Sequence, residues 1–494
     1  MSPRLSAVAQ ACLAALSELL GPSGYITDAE AQAPYLAEAR GNAVSTPLAL
    51  LRPSTTEEVA AVVRLTAEAG IALVPQGGNT GLVGGALAAE GTLLLNLGRL
   101  NRIREVDPLD HTMTVEAGVI LATVQQAAND VDLMFPLSLG AEGSCTIGGN
   151  LSTNAGGILT LRYGNARAQV LGLEVVLPDG RVWNGLRRLR KDNTGYDLKH
   201  LFLGAEGTLG IITAATLSLV PRPRQMETAL VAVPDVTAAL RLLKRLRQAS
   251  GDAVSAFEIM PRFAIDGAAR YLGEQNDPLS EPSPWYILTE LTAGTPGDAL
   301  RDTVEAALAE AIEAGEATDA TLAASGDQRQ KLWRLREGLP EIGRKVGGAL
   351  HHDVAVPVSR IPQFIERADR AVAELSPGAR PYPFGHLGDG NIHYNIARPD
   401  TDDPVDREAF LALGEKIMRA VHDVVLDLDG SISAEHGIGN KKRNELARAR
   451  STLEIDLMAS LKRLLDPRDL MNPGKSYPNR QDLAPKPGAG IGQH

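Results

Sequence analysis

Two glycine-rich stretches limit most strongly what this chain can fold into. Residues 75–85 read Pro-Gln-Gly-Gly-Asn-Thr-Gly-Leu-Val-Gly-Gly, and residues 140–157 read Gly-Ala-Glu-Gly-Ser-Cys-Thr-Ile-Gly-Gly-Asn-Leu-Ser-Thr-Asn-Ala-Gly-Gly. Glycine permits positive φ and leaves backbone N–H groups uncovered, and successive uncovered N–H groups form a concave site for anions. One such stretch fits an ordinary turn between strands. Two of them are what a large diphosphate cofactor with two faces needs.

The first stretch matches neither common nucleotide motif. It lacks the G-x-x-x-x-G-K-[ST] pattern of nucleotide hydrolases and does not fit G-x-G-x-x-G in a usable way. A Rossmann dinucleotide site is therefore not expected.

The surrounding pattern predicts several domains. A chain of 494 residues is too long for one core. Strands at 47–52, 71–74, 92–97 and 112–116 alternate with helices at 57–69 and 120–131, and the first helix has a Thr55 or Thr56 cap and ends at Gly70. The prolines of Pro221-Arg-Pro223 mark a boundary. Beyond it we expect strands at 228–233 and 285–292, and helices at 236–249, 297–313, 327–345, 361–375, 406–427 and 453–465.

The predicted fold class is α+β. The units are 1–222, split near 105, then 223–425, then a helical C-terminal segment 426–478, and a disordered tail 479–494. At the N-terminus, Leu5, Val8, Cys12, Leu16 and Leu19 recur at helical spacing, which predicts an amphipathic helix.

Net charge and cysteine content limit the binding partners and the compartment that we expect for this chain. The formal net charge of −11 argues against nucleic acid and anionic membranes as partners. The two cysteines give no disulfide framework and fit a reducing compartment. We expect no transmembrane segment, since no apolar run approaches about 20 residues, and a cytoplasmic location.

Three of the nine histidines fall in two late motifs, each beside a carboxylate. The first is Phe-Gly-His386-Leu-Gly-Asp-Gly-Asn-Ile-His393, and the second is Ser-Ala-Glu435-His436-Gly. Two imidazoles and one carboxylate can hold a divalent metal and leave positions open for substrate. On an unbroken strand the spacing of seven would point the first two histidines to opposite faces, but the Gly-Asp-Gly turn can reset the register. A structural, hydrogen-bonded role is the alternative for each histidine alone.

With these motifs, the chain resembles the FAD-linked D-2-hydroxyacid dehydrogenases of the vanillyl-alcohol-oxidase flavoprotein type, and within them the hydroxyglutarate branch. The match also includes residues 191–198, 204–212 and 466–475, and spans roughly residues 40–477. It implies a two-subdomain FAD-binding domain and an α+β substrate (cap) domain. Asn79 stands near the position where many relatives attach FAD to a histidine, so the FAD is expected to be non-covalent. The implied cofactor-binding residues are Pro75, Gly77, Gly78, Asn79, Thr80, Gly81, Leu82, Gly84, Gly85, Pro136, Gly140, Gly143, Ser144, Gly148, Gly149, Asn154, Gly156, Gly157, Glu206, Gly207, Gly210, Ile211 and Asn472.

The resemblance also implies roles for the late motifs. His386, His393 and Glu435 would hold a divalent cation, with zinc as the expected ion, that binds the substrate hydroxyl and carboxylate and lowers the hydroxyl pKa. His436 would take the hydroxyl proton as general base, since imidazole titrates near neutral pH, and the Cα hydride would pass to flavin N5. Asn395 would orient substrate or flavin.

The expected substrate contacts depart partly from the family pattern. Arg336 aligns with the arginine that binds the substrate carboxylate, although a solvated helix face is the alternative. Pro340 stands where the hydroxyglutarate enzymes carry a threonine, and His351 stands where they carry a lysine. His351 or His352 could replace that lysine in part, or the substrate could differ.

The predicted reaction is the oxidation of a D-2-hydroxy acid, with D-2-hydroxyglutarate to 2-oxoglutarate first and D-lactate or a similar acid as the alternative. Electrons would pass to an acceptor such as an electron-transfer flavoprotein or a quinone, and family habit suggests a homodimer. A non-redox metallohydrolase is the rival from another class. An inactive flavin-binding subunit is a second rival.

Overall fold

The computed structural model describes residues 6–38, 43–273, 277–400 and 404–477. Its first part forms a mixed sheet of order β1-β2-β4-β3, in which β4 runs parallel to both of its neighbours. The elements are α1 (Ala7–Gly24), β1 (Tyr25–Ile26), α2 (Ala29–Leu36), β2 (Leu50–Leu51), α3 (Thr56–Ala69), β3 (Leu73–Gln76) and β4 (Leu93–Asn96).

Helix α3 shows how local sequence sets these bounds. The Thr55 side chain accepts a hydrogen bond from the Glu58 N–H, and Gly70 closes the helix in the left-handed conformation at φ 71°. Both signals were readable in the sequence, and the predicted helix is confirmed.

Helix α1 corrects part of one prediction. Cys12 and Leu16 are buried as expected, but Val8 and Leu19 are exposed, and Leu5 lies outside the described residues. The buried face instead includes Ala9, Cys12, Leu16 and Leu20. The helix is therefore rotated on the core by about one residue position from the predicted orientation.

The second sheet is antiparallel and has the order β5-β6-β10-β8-β9. Its central strand β10 is buried along nearly its whole length. The elements are β5 (Ile103–Asp107), β6 (Thr112–Glu116), α4 (Leu121–Asn129), β7 (Leu133–Met134), α5 (Ile147–Ser152), α6 (Thr160–Tyr163), β8 (Val170–Val176), β9 (Val182–Gly185), α7 (Lys199–Phe202), β10 (Ile211–Ser218) and β11 (Val220–Pro221).

The third sheet has eight strands, in the order β15-β12-β14-β13-β18-β19-β16 with β17 also paired to β19. Alternate residues of its strands face two cores, one under α8, α10 and α13, the other under α9, α11 and α12. The elements are β12 (Gln225–Val233), α8 (Val236–Ala249), β13 (Val254–Pro261), α9 (Arg262–Tyr271), β14 (Trp285–Ala293), α10 (Ala299–Glu313), β15 (Asp319–Leu322), α11 (Gly326–Glu337), α12 (Leu339–Lys345), β16 (Ala349–Leu350), β17 (Val354–Ala355), α13 (Ile361–Leu375), β18 (Arg380–His386) and β19 (Asn391–Ala397).

One expected helix is in fact two. The prediction of a single helix over 327–345 is wrong, because the chain breaks at Gly338 between α11 and α12. Pro340 lies in the first turn of α12, where its missing N–H costs nothing, but inside a continuous helix it would remove a hydrogen bond.

The C-terminal helices lead the chain back to the first sheet. They are α14 (Pro404–Ala412), α15 (Gly414–Asp427), α16 (Arg443–Ala449) and α17 (Thr452–Leu465). After α17 the backbone pairs with β3: the Leu73 N–H donates to Leu470 O, and the Asn472 N–H donates to Leu73 O, both at 2.8 Å. The predicted disordered tail lies outside the described residues. Among the described helices, none combines the length and apolar character needed to span a bilayer.

Candidate active site

The two glycine-rich stretches pack against each other. A side chain at Gly77 would collide with Thr146 Oγ1, and one at Gly78 would collide with the backbone of Ser144. Glycine is therefore required at both positions by close approach of the two segments, which form one wall.

Two cavities border this wall, and together we call them the groove. The first has a volume of about 440 Å³ and the second about 490 Å³, and Gly77, Gly78, Asn79 and Thr146 line both. Most predicted cofactor residues line the first cavity: Pro75, Gly77, Gly78, Asn79, Thr80, Gly81, Leu82, Gly84, Gly85, Gly140, Gly148, Gly149, Gly156, Glu206, Gly207, Gly210 and Ile211. Ser144 lines the second.

Five predicted cofactor residues line neither cavity: Pro136, Gly143, Asn154, Gly157 and Asn472. Asn472 instead braces the wall, because its buried amide donates to Gly85 O at 3.1 Å and to Glu206 O at 2.8 Å. Asn154 accepts a hydrogen bond from the Arg167 N–H at 2.9 Å, which fixes the loop behind the groove.

The β18–β19 hairpin brings the two motif histidines together. Phe384 pairs with His393 across the hairpin, and His386 lies two residues from Phe384, so both imidazoles share one face of the sheet. Their ring centroids are 5.5 Å apart. The turn between them contains Gly390 at φ 93°, and the prediction that this turn resets the register is confirmed.

Glu435 completes a three-ligand cluster with these histidines. Its Oε1 lies 3.6 Å from His386 Nε2, and one ligand atom from each of the three residues falls within 4.8 Å of the others. Ligands about 2 Å from a tetrahedral ion lie roughly 3.3 Å from one another, so the arrangement fits a divalent cation. Glu435 and His436 also line the cavity of about 440 Å³, together with Gly84, so the cluster and the groove share one space.

Sequence reasoning missed Glu258, which orients the imidazole of His386 in the cluster. This buried carboxylate on β13 lies 2.6 Å from His386 Nδ1 and accepts a hydrogen bond from Arg336 Nε at 2.7 Å. Burial opposes its charge, but His386 and Arg336 outweigh burial and lower the Glu258 pKa to about 2. Burial likewise disfavours a charged His386, but Glu258 outweighs it and raises the His386 pKa to about 9. This pairing leaves His386 Nε2 directed at Glu435, as metal-binding histidines require.

Asp353 is the second residue that the sequence did not reveal. Its buried Oδ2 accepts hydrogen bonds from the N–H groups of Glu435 at 3.0 Å and His436 at 2.9 Å. It also lies 3.4 Å from His436 Nδ1 and 3.7 Å from His393 Nδ1. Burial opposes its charge, but the histidines hold the Asp353 pKa well below its usual range. A lone acid in the apolar run Asp353–Pro357 was the available signal.

A third carboxylate, which lines the groove, holds the loop of residues 433–439 that carries Glu435 and His436. Glu206, at φ 50°, accepts hydrogen bonds from the N–H groups of Ile438 and Gly439, both at 2.8 Å. Inside the loop, Lys442 Nζ donates to Ile432 O at 2.9 Å and to Ser433 Oγ at 3.2 Å. The segment that carries Glu435 and His436 is therefore held by contacts with both halves of the molecule.

Of the predicted substrate-binding residues, Arg336 and Asn395 lie near the cluster and His351 does not. Arg336 is buried beside the cluster, with its guanidinium 4.7 Å from the centre of the Phe384 ring. Asn395 is buried on β19, two residues from His393 and thus on the same face. His351 is exposed, whereas His352 is buried with Nδ1 2.8 Å from Tyr394 O, and neither lines the groove. The structure does not bring His351 to the cluster.

Comparison with known proteins agrees with this architecture. Residues 47–185 match the family described as FAD binding domain, and residues 222–476 match FAD linked oxidases, C-terminal domain. A D-2-hydroxyglutarate dehydrogenase of Xanthomonas citri pv. viticola is 39% identical over 431 residues, which cover 87% of this chain and 89% of that protein. The mitochondrial D-2-hydroxyglutarate dehydrogenase of Arabidopsis thaliana is 36% identical over 482 residues, 97% of this chain and 83% of that protein.

Among solved structures, p-cresol methylhydroxylase with substrate bound superimposes with a TM-score of 0.74 at 18% identity, over 97% of this chain and 98% of that one. At this identity the likeness establishes the fold alone, which is the α+β vanillyl-alcohol-oxidase type. From the two family matches and the long similarity to the dehydrogenases, the chain belongs to the FAD-linked oxidase family, with an N-terminal FAD-binding domain.

Proposed function

We propose that this protein is an FAD-dependent dehydrogenase that oxidises a D-2-hydroxy acid to the 2-oxo acid, with D-2-hydroxyglutarate as its first substrate. One observation carries the proposal: Glu435 and His436 line the same cavity as the glycine-rich cofactor wall. A substrate bound there touches both a candidate base and the cofactor. The relatives named D-2-hydroxyglutarate dehydrogenase support the choice of acid.

The donor set at the cluster supports a divalent metal, and we propose zinc. His386, His393 and Glu435 supply two nitrogens and one carboxylate oxygen, and Glu258 already directs His386 Nε2 toward the shared space. A cation on these ligands would supply Lewis acidity that lowers the pKa of the substrate hydroxyl.

In this proposal His436 is the general base. Asp353 faces His436 Nδ1 and binds the backbone of the same residue, and these two contacts orient the imidazole that would receive the hydroxyl proton. FAD bound in the groove supplies the hydride acceptor. His436 and Asp353 thus form a base and an orienting acid, and the buried Asp353 favours the imidazolium that proton transfer creates.

Recognition of the acid would rest on Arg336 and Asn395. Arg336 Nε donates a hydrogen bond to Glu258, so the other N–H groups of the guanidinium would bind the substrate carboxylate. Pro340 cannot donate a side-chain hydrogen bond, and His351 is exposed. These two positions favour a second candidate substrate, D-lactate or another D-2-hydroxy acid with no distal carboxylate. The electron acceptor we propose is an electron-transfer flavoprotein or a quinone.

An anaerobic titration of the FAD-loaded protein tests the proposal. D-2-Hydroxyglutarate should bleach the flavin absorbance, L-2-hydroxyglutarate should not, and D-lactate decides between the two candidate acids. His436→Asn should keep FAD but lose bleaching. If no 2-hydroxy acid reduces the flavin, the protein is the inactive flavin-binding subunit instead. A protein that binds no flavin yet hydrolyses substrate with its metal would be the metallohydrolase.

A further inference from the structure

A short N-terminal segment borders both cavities of the groove. This segment, which we call the strap, consists of residues 34–38 and begins in the last turn of α2. Pro34 and Tyr35 line the cavity of about 490 Å³, and Glu38 lines the cavity of about 440 Å³. A cofactor that occupies both cavities therefore contacts the strap at both of its ends.

Two side chains of the first glycine-rich stretch hold the backbone of the strap. Asn79 Nδ2 donates to Ala37 O at 2.6 Å and to Tyr35 O at 3.5 Å, and Gln76 Nε2 donates to Tyr35 O at 2.9 Å. Carbonyl groups at the end of a helix have no partner within it, and here the cofactor wall supplies the donors. Gln76 and Asn79 also line both cavities, so the strap is fixed directly to the wall of the groove.

Lys441 holds the strap from the opposite side. Its Nζ donates to both carboxylate oxygens of Glu38, at 2.8 and 2.7 Å, and to Leu82 O at 3.0 Å. The Lys441 side chain is 42% exposed and that of Glu38 only 3%, so the ion pair runs from the cavity to the surface. Lys441 lies two residues beyond the loop of residues 433–439. One ammonium group thus joins the strap, the glycine-rich stretch and the segment that carries the candidate base.

The charge of Glu38 gives this ion pair a second effect. The diphosphate of FAD is an anion, and a carboxylate that faces an anion inside a cavity repels it. In the described part of the chain, no lysine or arginine lines the cavity of about 440 Å³. The ammonium of Lys441, which contacts Glu38 from outside, is therefore what neutralises this carboxylate.

We propose that Glu38 and Lys441 retain the cofactor: their ion pair keeps the strap against the groove, and FAD leaves only after this pair opens. The FAD is then held without a covalent bond. This inference rests on the binding of FAD in the groove, but not on the proposed substrate or metal.

The rate of FAD release from the loaded protein tests the proposal, and free-flavin fluorescence after dilution measures it. Lys441→Met removes the charge but keeps most of the side chain, and it should speed release about fivefold or more. Glu38→Gln should speed release less, because it leaves no unpaired carboxylate facing the cofactor. For the same reason the double variant should release FAD more slowly than Lys441→Met. Lys441→Arg should stay close to the wild-type rate.

Lys345→Met is the matched control. Lys345 is 44% exposed, pairs with Glu341 at 2.9 Å and donates to Tyr271 O at 2.9 Å, but it lines neither cavity. This variant should release FAD at the wild-type rate. Because the Glu38–Lys441 pair is partly exposed, raising the salt concentration from about 0.05 to about 0.5 M should speed release from the wild type but not from Lys441→Met.

Several results would overturn the proposal. They are wild-type release rates in both Lys441→Met and Glu38→Gln, equal acceleration in Lys345→Met, and FAD that stays on the polypeptide after acid denaturation. An unchanged thermal midpoint of the flavin-free protein shows that a variant is folded. If Lys441→Met does not fold, the salt dependence of the wild type decides, and its absence overturns the proposal. A wild type that retains FAD through the pair, but that no 2-hydroxy acid bleaches, supports this inference and contradicts the proposed function.

Discussion

Alanine at position 156 is the smallest change that tests the proposed metal ligands. A Cβ atom there would lie 2.8 Å from Glu435 Oε1 and 3.3 Å from Thr160 Oγ1. Non-bonded atoms prefer separations of about 3.5 Å, so the Glu435 carboxylate must move by roughly 0.7 Å. The backbone at Gly156 does not have positive φ, so alanine is otherwise allowed.

This movement should change the stability of the fold little but should lower metal affinity strongly. Glu435 is partly exposed and its side chain can rotate, and Gly→Ala at a compatible position stabilises a protein by about 0.4–1 kcal/mol. Ligand distances around an ion tolerate only about 0.2 Å. We therefore expect metal affinity to fall roughly 10–100-fold, or ~1.4–2.8 kcal/mol, with an unchanged or slightly higher thermal midpoint.

Zinc binding should be measured by competition with a chelator, with flavin absorbance recorded because Gly156 also lines the groove. The control is Gly143→Ala, where a Cβ atom meets nothing within 4 Å. If Gly156→Ala binds zinc as tightly as the wild type, Glu435 is not a ligand in the arrangement described. An equal loss of zinc affinity in both variants would show a general effect of changing residues 140–157, and not a specific effect on Glu435.

Three further predictions concern the groups around the cluster. Glu258→Gln should lower metal affinity about 10–100-fold and lower stability by about 3–5 kcal/mol, because Arg336 stays buried without its partner. Zinc binding should release protons, since without a cation the His386 pKa is about 9 and burial raises the Glu435 pKa to about 7. Affinity should therefore fall about tenfold per pH unit from 9 to 7 and more steeply below 7. Lys442→Met should slow flavin reduction roughly 10–100-fold by loosening the loop, with partial recovery in Lys442→Arg.

Each of these has a direct check. Glu290 is a buried carboxylate on β14, in the same sheet as Glu258, and it pairs with Arg329 of α11, so Glu290→Gln should destabilise the protein without changing zinc affinity. If both glutamate variants bind zinc equally well, Glu258 does not orient His386. Proton release is read in weakly buffered solution, and pH-independent zinc binding would contradict the assignment. Lys442→Met with wild-type flavin reduction would remove Lys442 as a positioning residue.

Local signals predicted the parts of this structure that local contacts determine. The bounds of α3 follow from its Thr55 cap and Gly70, and those of α8 and α13 agree with the sequence pattern. The convergence of His386 and His393 was predictable because a short turn joins their strands. The break at Gly338 was missed, although Pro340 signals it, because apolar residues at helical spacing continue on both sides of the break.

The supporting carboxylates could not be predicted because they act across the fold. Glu258 reaches His386 only when β13 pairs with β18, 128 residues later in the chain. Asp353 reaches the His436 backbone across 83 residues. In sequence, each is a single acid among apolar residues, and nothing nearby indicates its partner. The same holds for Asn472, whose role as a brace depends on where two distant glycine segments meet.

The loop contacts of Glu206 have a consequence for biosynthesis. They join residues 232 and 233 positions apart, and the chain beyond them pairs with β3 near its beginning. Before the ribosome has added residues 470–472, the two glycine-rich stretches can already pack together, but the backbone pairing with β3 and the hydrogen bonds of Asn472 to Gly85 and Glu206 cannot form. A nascent or prematurely terminated chain should therefore capture flavin poorly, and holoenzyme maturation should be post-translational.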